Sequence, residues 1–85
     1  FDTEAFFDEV ERFLHHMHDV DNVTHLDLYA RNIMIDKTTL QPRIIDFGRA
    51  AILTPETPDI QKEQLKDRDW KTMNEAYEKI DNITK

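Results

Sequence analysis

Cysteine is absent from the 85-residue chain, which excludes disulfides and thiolate metal sites and suits a reducing, cytoplasmic setting. Glycine occurs once, at Gly48, so these residues encode no Gly-rich loop that could cradle phosphates. No apolar run approaches the roughly 20 residues needed to span a bilayer. The N-terminus also lacks the basic and apolar blocks of a secretory signal, so no membrane is expected as a partner. Basic charge is scarce too: the net charge is −7, and residues 1–22 hold seven acids against one base. Nucleic-acid binding needs clustered Lys and Arg, so nucleic acid is not an expected partner either. The chain begins with Phe rather than Met, from which we expect part of a longer or processed protein.

What is present describes one small globular domain. Hydrophobic residues make up 39% and charged residues 34% of the chain, a balance unlike that of disordered sequences. Phe6, Val10, Phe13 and Met17, with Phe7 and Leu14, recur at three- and four-residue spacing and predict an amphipathic helix over 3–18. Asp2 or Thr3 can cap it. Ile-rich runs at 33–35 and 43–46 flank the turn-like DKTTLQP and predict an antiparallel hairpin, with Pro42 tolerated at the start of its second strand. Residues 47–58 read as loop. Thr57 and Pro58 then predict a helical start, and the Trp70, Met73, Tyr77, Ile80 stripe predicts core-facing helix within 59–82, continuous or broken near Asp67–Asp69. The fold class is α+β and mainly helical.

The stretch HLDLYARN, residues 25–32, concentrates chemistry just before the hairpin. If the hairpin is symmetric about Thr39, Ile33 faces Ile45 and Asn32 faces Asp46, with Cβ atoms roughly 5 Å apart. An amide oxygen and a carboxylate so placed are hard ligands suited to Mg²⁺. Asp27, five residues before Asn32, would reach the same end and could accept or orient a hydroxyl proton. A slip of one residue would turn one of the pair away.

These residues carry a resemblance. His25, Asp27, Leu28 and Asn32 complete H-x-D-L-x-x-x-N, and Asp46-Phe47-Gly48 supplies D-F-G. The segment from 3 to about 50 resembles the catalytic loop and metal-binding hairpin of the protein-kinase-like fold, in the larger lobe. The resemblance implies Asp27 as the catalytic aspartate and Asn32 and Asp46 as the ligands of Mg²⁺, or Mn²⁺ in its place, against the phosphates of ATP. It further implies His25 as the structural histidine of the loop, Phe47 as an apolar anchor between helices, and Gly48 as the residue that lets the backbone turn. Arg31 falls where tyrosine kinases carry an arginine and could meet the transferring phosphoryl.

The departures matter as well. Leu26 stands where many regulated kinases carry Arg, and Tyr29 where serine/threonine kinases place a Lys. Residues 47–58 would form a short activation-like loop, with Thr54-Pro55-Glu56 faintly resembling the A-P-E that ends a usual one. The Gly-rich loop, strand Lys and partner Glu of the smaller lobe do not occur here, so the 85 residues alone are expected to be inactive and to need the missing lobe or a partner protein. The implied function is ATP-dependent phosphoryl transfer to a hydroxyl. D-F-G favours a protein acceptor over the small molecules of aminoglycoside- and choline-type phosphotransferases; a non-catalytic, pseudokinase-like interaction module is the rival class. His15, His16 and His18 lack the i, i+4 spacing of a helical zinc motif and read as solvated or capping. Thr54-Pro55 and Thr57-Pro58 match proline-directed phosphorylation sites, and the Asn22 and Asn82 triplets match glycosylation sites, but all four read as coincidence.

Overall fold

The computed structural model describes residues 2–84. The first helix, α1 (Thr3–Asp19), follows from the apolar period, and the Asp2 carboxylate caps it by accepting from the Ala5 N–H at 3.1 Å. Val10 and Leu14 are wholly buried at the centre of its stripe. Phe13, expected within that stripe, falls on its margin and is 40% exposed.

A two-residue strand β1 (Val23–Thr24) follows, and a 3₁₀ turn over Ala30–Asn32 leads into β2 (Ile33–Ile35). This strand pairs antiparallel with β3 (Pro42–Ile44), Pro42 taking the first position as expected. The register differs from expectation by one residue: Ile33 pairs with Ile44 and Met34 with Arg43. The cause lies in the loop. Asp36 Oδ1 accepts the N–H groups of both Thr38 and Thr39, and its main chain closes on Leu40 and Gln41. Leu40 adopts φ 60°, and four residues rather than a symmetric three or five separate Asp36 from its partner Gln41.

The segment 47–58, expected to be loop throughout, contains a strand β4 (Ala51–Ile52) that pairs with β1. The Thr57 hydroxyl does not cap the last helix. It accepts from the Thr54 N–H at 3.1 Å, closing a turn, and the Pro58 carbonyl takes the first helical bond from Lys62. Helix α2 (Asp59–Thr84) then runs unbroken for 26 residues. The core forms where α1 crosses α2: Phe6, Phe7, Val10, Leu14 and Met17 meet Met73 and Ala76, with Leu28 and Ile33 from the middle of the chain. Trp70, Tyr77 and Ile80 pack against this cluster, as the stripe predicts, and the Phe7 and Tyr77 rings meet edge-on at 5.2 Å. The α+β, mainly helical architecture is that expected from sequence.

Candidate functional site

The loop between β1 and β2 is held from beneath by one carboxylate. Asp69, fully buried in the middle of α2, accepts the main-chain N–H of His25 through Oδ2 and that of Leu26 through Oδ1, each at 2.8 Å. His18, from the last turn of α1, also reaches Asp69 Oδ2 at 2.8 Å and is 2% exposed. A carboxylate only accepts, so His18 donates its Nε2–H. This corrects the expectation of a solvated or capping His18, whereas His15 and His16 are indeed exposed. Asp69 is also why α2 does not break near 67–69: its side chain is spent on the loop rather than on its own helix.

The same anchoring holds Leu26 at φ 64°, a left-handed conformation that costs a non-glycine residue about 1–2 kcal/mol. The kink turns the chain so that Leu28 enters the core and Asp27 faces the hairpin. His25 bridges the two. Its Nδ1 accepts from the Asp27 N–H at 3.1 Å, so the ring proton resides on Nε2, which donates to the Ile45 carbonyl at 2.9 Å.

Three of the expected site residues converge. The Asp27 carboxylate, nearly buried, accepts from Arg31 at 2.9 Å through Oδ1 and from Asn32 Nδ2 at 3.1 Å through Oδ2. Asn32 Nδ2 also donates to the Asp27 main-chain carbonyl at 2.7 Å. The Arg31 guanidinium lies over the Tyr29 ring, 4.7 Å from its centre. No buried side-chain nitrogen or oxygen lacks a partner among the described residues, so Asn32 Oδ1, which takes no part in these bonds, opens to solvent.

Asp46 joins the group through the backbone instead. The register brings Ile45, not Asp46, opposite Asn32: the Ile45 N–H donates to the Asn32 carbonyl at 2.9 Å while its own carbonyl receives His25. Asp46 follows at φ 62°, exposed, with Oδ1 accepting from the Gly48 N–H at 3.3 Å. The left-handed turn thus sits at Asp46 and not at Gly48, which has no positive φ. Gly48 serves close approach, since a Cβ there would lie 3.2 Å from Asp46 Oδ1. Phe47 is not sunk between helices. It is 44% exposed and stands edge-on to His25 with ring centres 4.7 Å apart, because the turn at Asp46 carries the chain outward.

Among the described residues no three His, Asp or Glu side chains cluster as a metal site. The donors that remain are the outward Asn32 oxygen and the Asp46 carboxylate. Both are hard oxygens, and they are few, which fits a cation such as Mg²⁺ that keeps water and phosphate in its shell.

A family model, Protein kinase domain, matches residues 1–75. The chain belongs to this family. Its chemistry is therefore of the kinase-type phosphotransferase class. No solved structure matches the chain. The residues that sequence reasoning missed, Asp69 and His18, lie 44 and 51 positions from the atoms they hold, too far apart for any local pattern to reveal.

Proposed function

We infer that this chain carries the acceptor-orienting and metal-holding part of an ATP- and Mg²⁺-dependent kinase that transfers the γ-phosphoryl of ATP to a hydroxyl. The observation that carries this reading is the clamped Asp27 carboxylate. Arg31 and Asn32 fix both of its oxygens, yet each oxygen keeps a second lone pair for an incoming O–H. Asp27 would orient that hydroxyl and take its proton, and its rigid mounting reduces the entropy lost in alignment. Asn32 donates through nitrogen to Asp27 and so presents oxygen outward. Its orientation is thus set by the residue whose work it would assist.

Mg²⁺, or Mn²⁺, would be held by Asn32 Oδ1 and the Asp46 carboxylate, and when bound would neutralise charge on the ATP phosphates. Arg31, exposed beyond Asp27, would place a positive charge near the transferring group. A protein acceptor is favoured by Asp46-Phe47-Gly48. A cytoplasmic setting is proposed from the absence of cysteine. These 85 residues include no Gly-rich strand pair or strand Lys, and nucleotide-holding groups would have to come from another segment or chain.

Mn²⁺ is a direct probe, because it broadens nearby NMR signals. With Mn²⁺ and ADP, the amides of Asn32, Asp46 and Phe47 should broaden first, and Asp46→Asn should remove the effect at equal metal concentration. Broadening centred on the acidic face of α1, or unaltered by Asp46→Asn, would remove the metal role.

A further inference from the structure

A cavity of about 210 Å³ opens between the loop that carries Asp27 and α2. It is lined by Leu26 and Tyr29 of the loop and by Arg68, Lys71, Thr72 and Glu75 of α2. We propose that this cavity is the acceptor-side subsite, and that it takes an acidic side chain of a peptide whose hydroxyl is presented to Asp27. The proposal deepens the kinase reading above and rests on it.

The chain carries a net charge of −7, and Arg12, Arg31, Arg43 and Lys66 are each engaged by an acid. Arg68 and Lys71 are exposed and, like Lys37, Arg49, Lys62 and Lys79, form no ion pair among the described residues; what sets the two apart is that they line one cavity together. They lie three residues apart on one face of α2, both at the cavity. Thr72 cannot serve as an anion donor there, because its hydroxyl is spent on the carbonyls of Arg68 and Asp69 at 3.0 and 3.1 Å. Recognition would rest on the two cations, with Glu75 opposing them.

The cavity wall contains the residue before Asp27 and the residue two after it. Tyr29 carries the Arg31 guanidinium on its ring, and Arg31 holds Asp27. An occupant touching Tyr29 is thus one side chain away from the carboxylate. The cavity's volume falls below the 300–1,000 Å³ of small-molecule sites and suits a single side chain. The chain's own Thr54 and Thr57 are poor sources of a competing phosphate, since their hydroxyls are bonded to each other at 3.2 Å within a closed turn.

The test is an amide-shift titration of the 85-residue chain at low salt with two blocked heptapeptides, EEEYEEE and QQQYQQQ, and with inorganic phosphate. The acidic peptide should produce saturable shifts at Leu26, Tyr29, Lys71 and Thr72, although the net charges of chain and peptide repel. The glutamine peptide should not. The double variant Arg68→Gln/Lys71→Gln should weaken binding about fivefold, as expected for two exposed ion pairs, and Glu75→Gln should strengthen it two- to threefold. Equal shifts with both peptides, shifts unaffected by the double variant, or tighter binding of inorganic phosphate than of the peptide would each overturn the proposal. The kinase reading is tested by the Mn²⁺ broadening at Asn32 and Asp46 and this subsite by the peptide shifts, so the failure of either shows in a separate measurement.

Discussion

Asp69 accepts the main-chain N–H of Leu26 at 2.8 Å, holding in place a leucine whose φ of 64° it would otherwise avoid. Both carboxylate oxygens are committed to successive residues of the loop, and His18 completes the set from α1. The loop that presents Asp27 is thereby tied to both helices at a single buried point. A strained backbone persists only where its surroundings over-determine it, and three charge-assisted bonds of 2.8 Å supply that here.

Removing this anchor should be costly. Asp69→Ala leaves two main-chain N–H groups and the His18 ring without partners in the core, and each unmet donor costs about 1–3 kcal/mol. A loss of about 3–5 kcal/mol is expected, a large share of the stability of so small a domain. Thermal unfolding followed by circular dichroism measures it. Asp69→Asn keeps the volume and one acceptor, so its loss should be smaller, and amide exchange at Leu26 should accelerate more than exchange within α1. A change in melting temperature of under about 2 °C for Asp69→Ala would refute the anchoring role.

The left-handed Leu26 and the buried Leu28 make a paired test of strain against packing. Leu28 is fully buried, and Leu28→Ala should cost about 2–5 kcal/mol. Leu26→Gly gives up only a partly buried side chain and relieves about 1–2 kcal/mol of backbone strain, so its net effect should lie near zero. Leu26→Val, β-branched at positive φ, should be the worst of the substitutions at that position. Urea midpoints of the three variants rank them, and a Leu26→Gly loss as large as that of Leu28→Ala would contradict the strain assignment.

Asp36 supplies a pH dependence with a definite sign. The N–H groups of Thr38 and Thr39, and then the Arg43 guanidinium, hold its carboxyl below the ordinary value of 3.8. A carboxyl depressed in the fold stabilises it above the unfolded value and loses that contribution as pH falls through the folded one. The hairpin loop should therefore stay closed at pH 5 and open only below 3.8. The Thr38 and Thr39 amide shifts should titrate together with a midpoint under 3.8, and Asp36→Asn should abolish the titration. A midpoint above the ordinary value would reverse the sign and defeat the assignment.

Much of this architecture is legible in the sequence because its signals are local. The helical period gives α1 and the face of α2, and the Ile-rich runs give the hairpin. H-x-D-L-x-x-x-N and D-F-G mark Asp27, Asn32 and Asp46. The illegible parts depend on distant partners or on single torsions. The hairpin register turns on the bonds of Asp36 and the left-handed Leu40, which no alternation pattern encodes. Strand β4 is two residues long and exists only because β1 lies beside it. His18 looked solvated because its acid is 51 residues away. Asp69 looked like a helix break for the same reason.

The clamp on Asp27 separates two contributions that are usually entangled. Asp27→Asn keeps the shape and the contact to Asn32 but removes the carboxylate proposed to take the acceptor's proton. Phosphoryl transfer should fall about 10²–10⁴-fold, the range assigned to a positioned general base, while Mg·ATP affinity should change less than about twofold. Arg31→Ala leaves the acceptor in place but frees Oδ1 and uncovers Tyr29, so kcat should fall less than in Asp27→Asn and KM for the acceptor should rise. Single-turnover phosphoryl transfer with radiolabelled ATP separates chemistry from binding. Undiminished turnover in Asp27→Asn would remove Asp27 from the reaction, and a nucleotide affinity that collapses with it would place the residue in ATP binding instead.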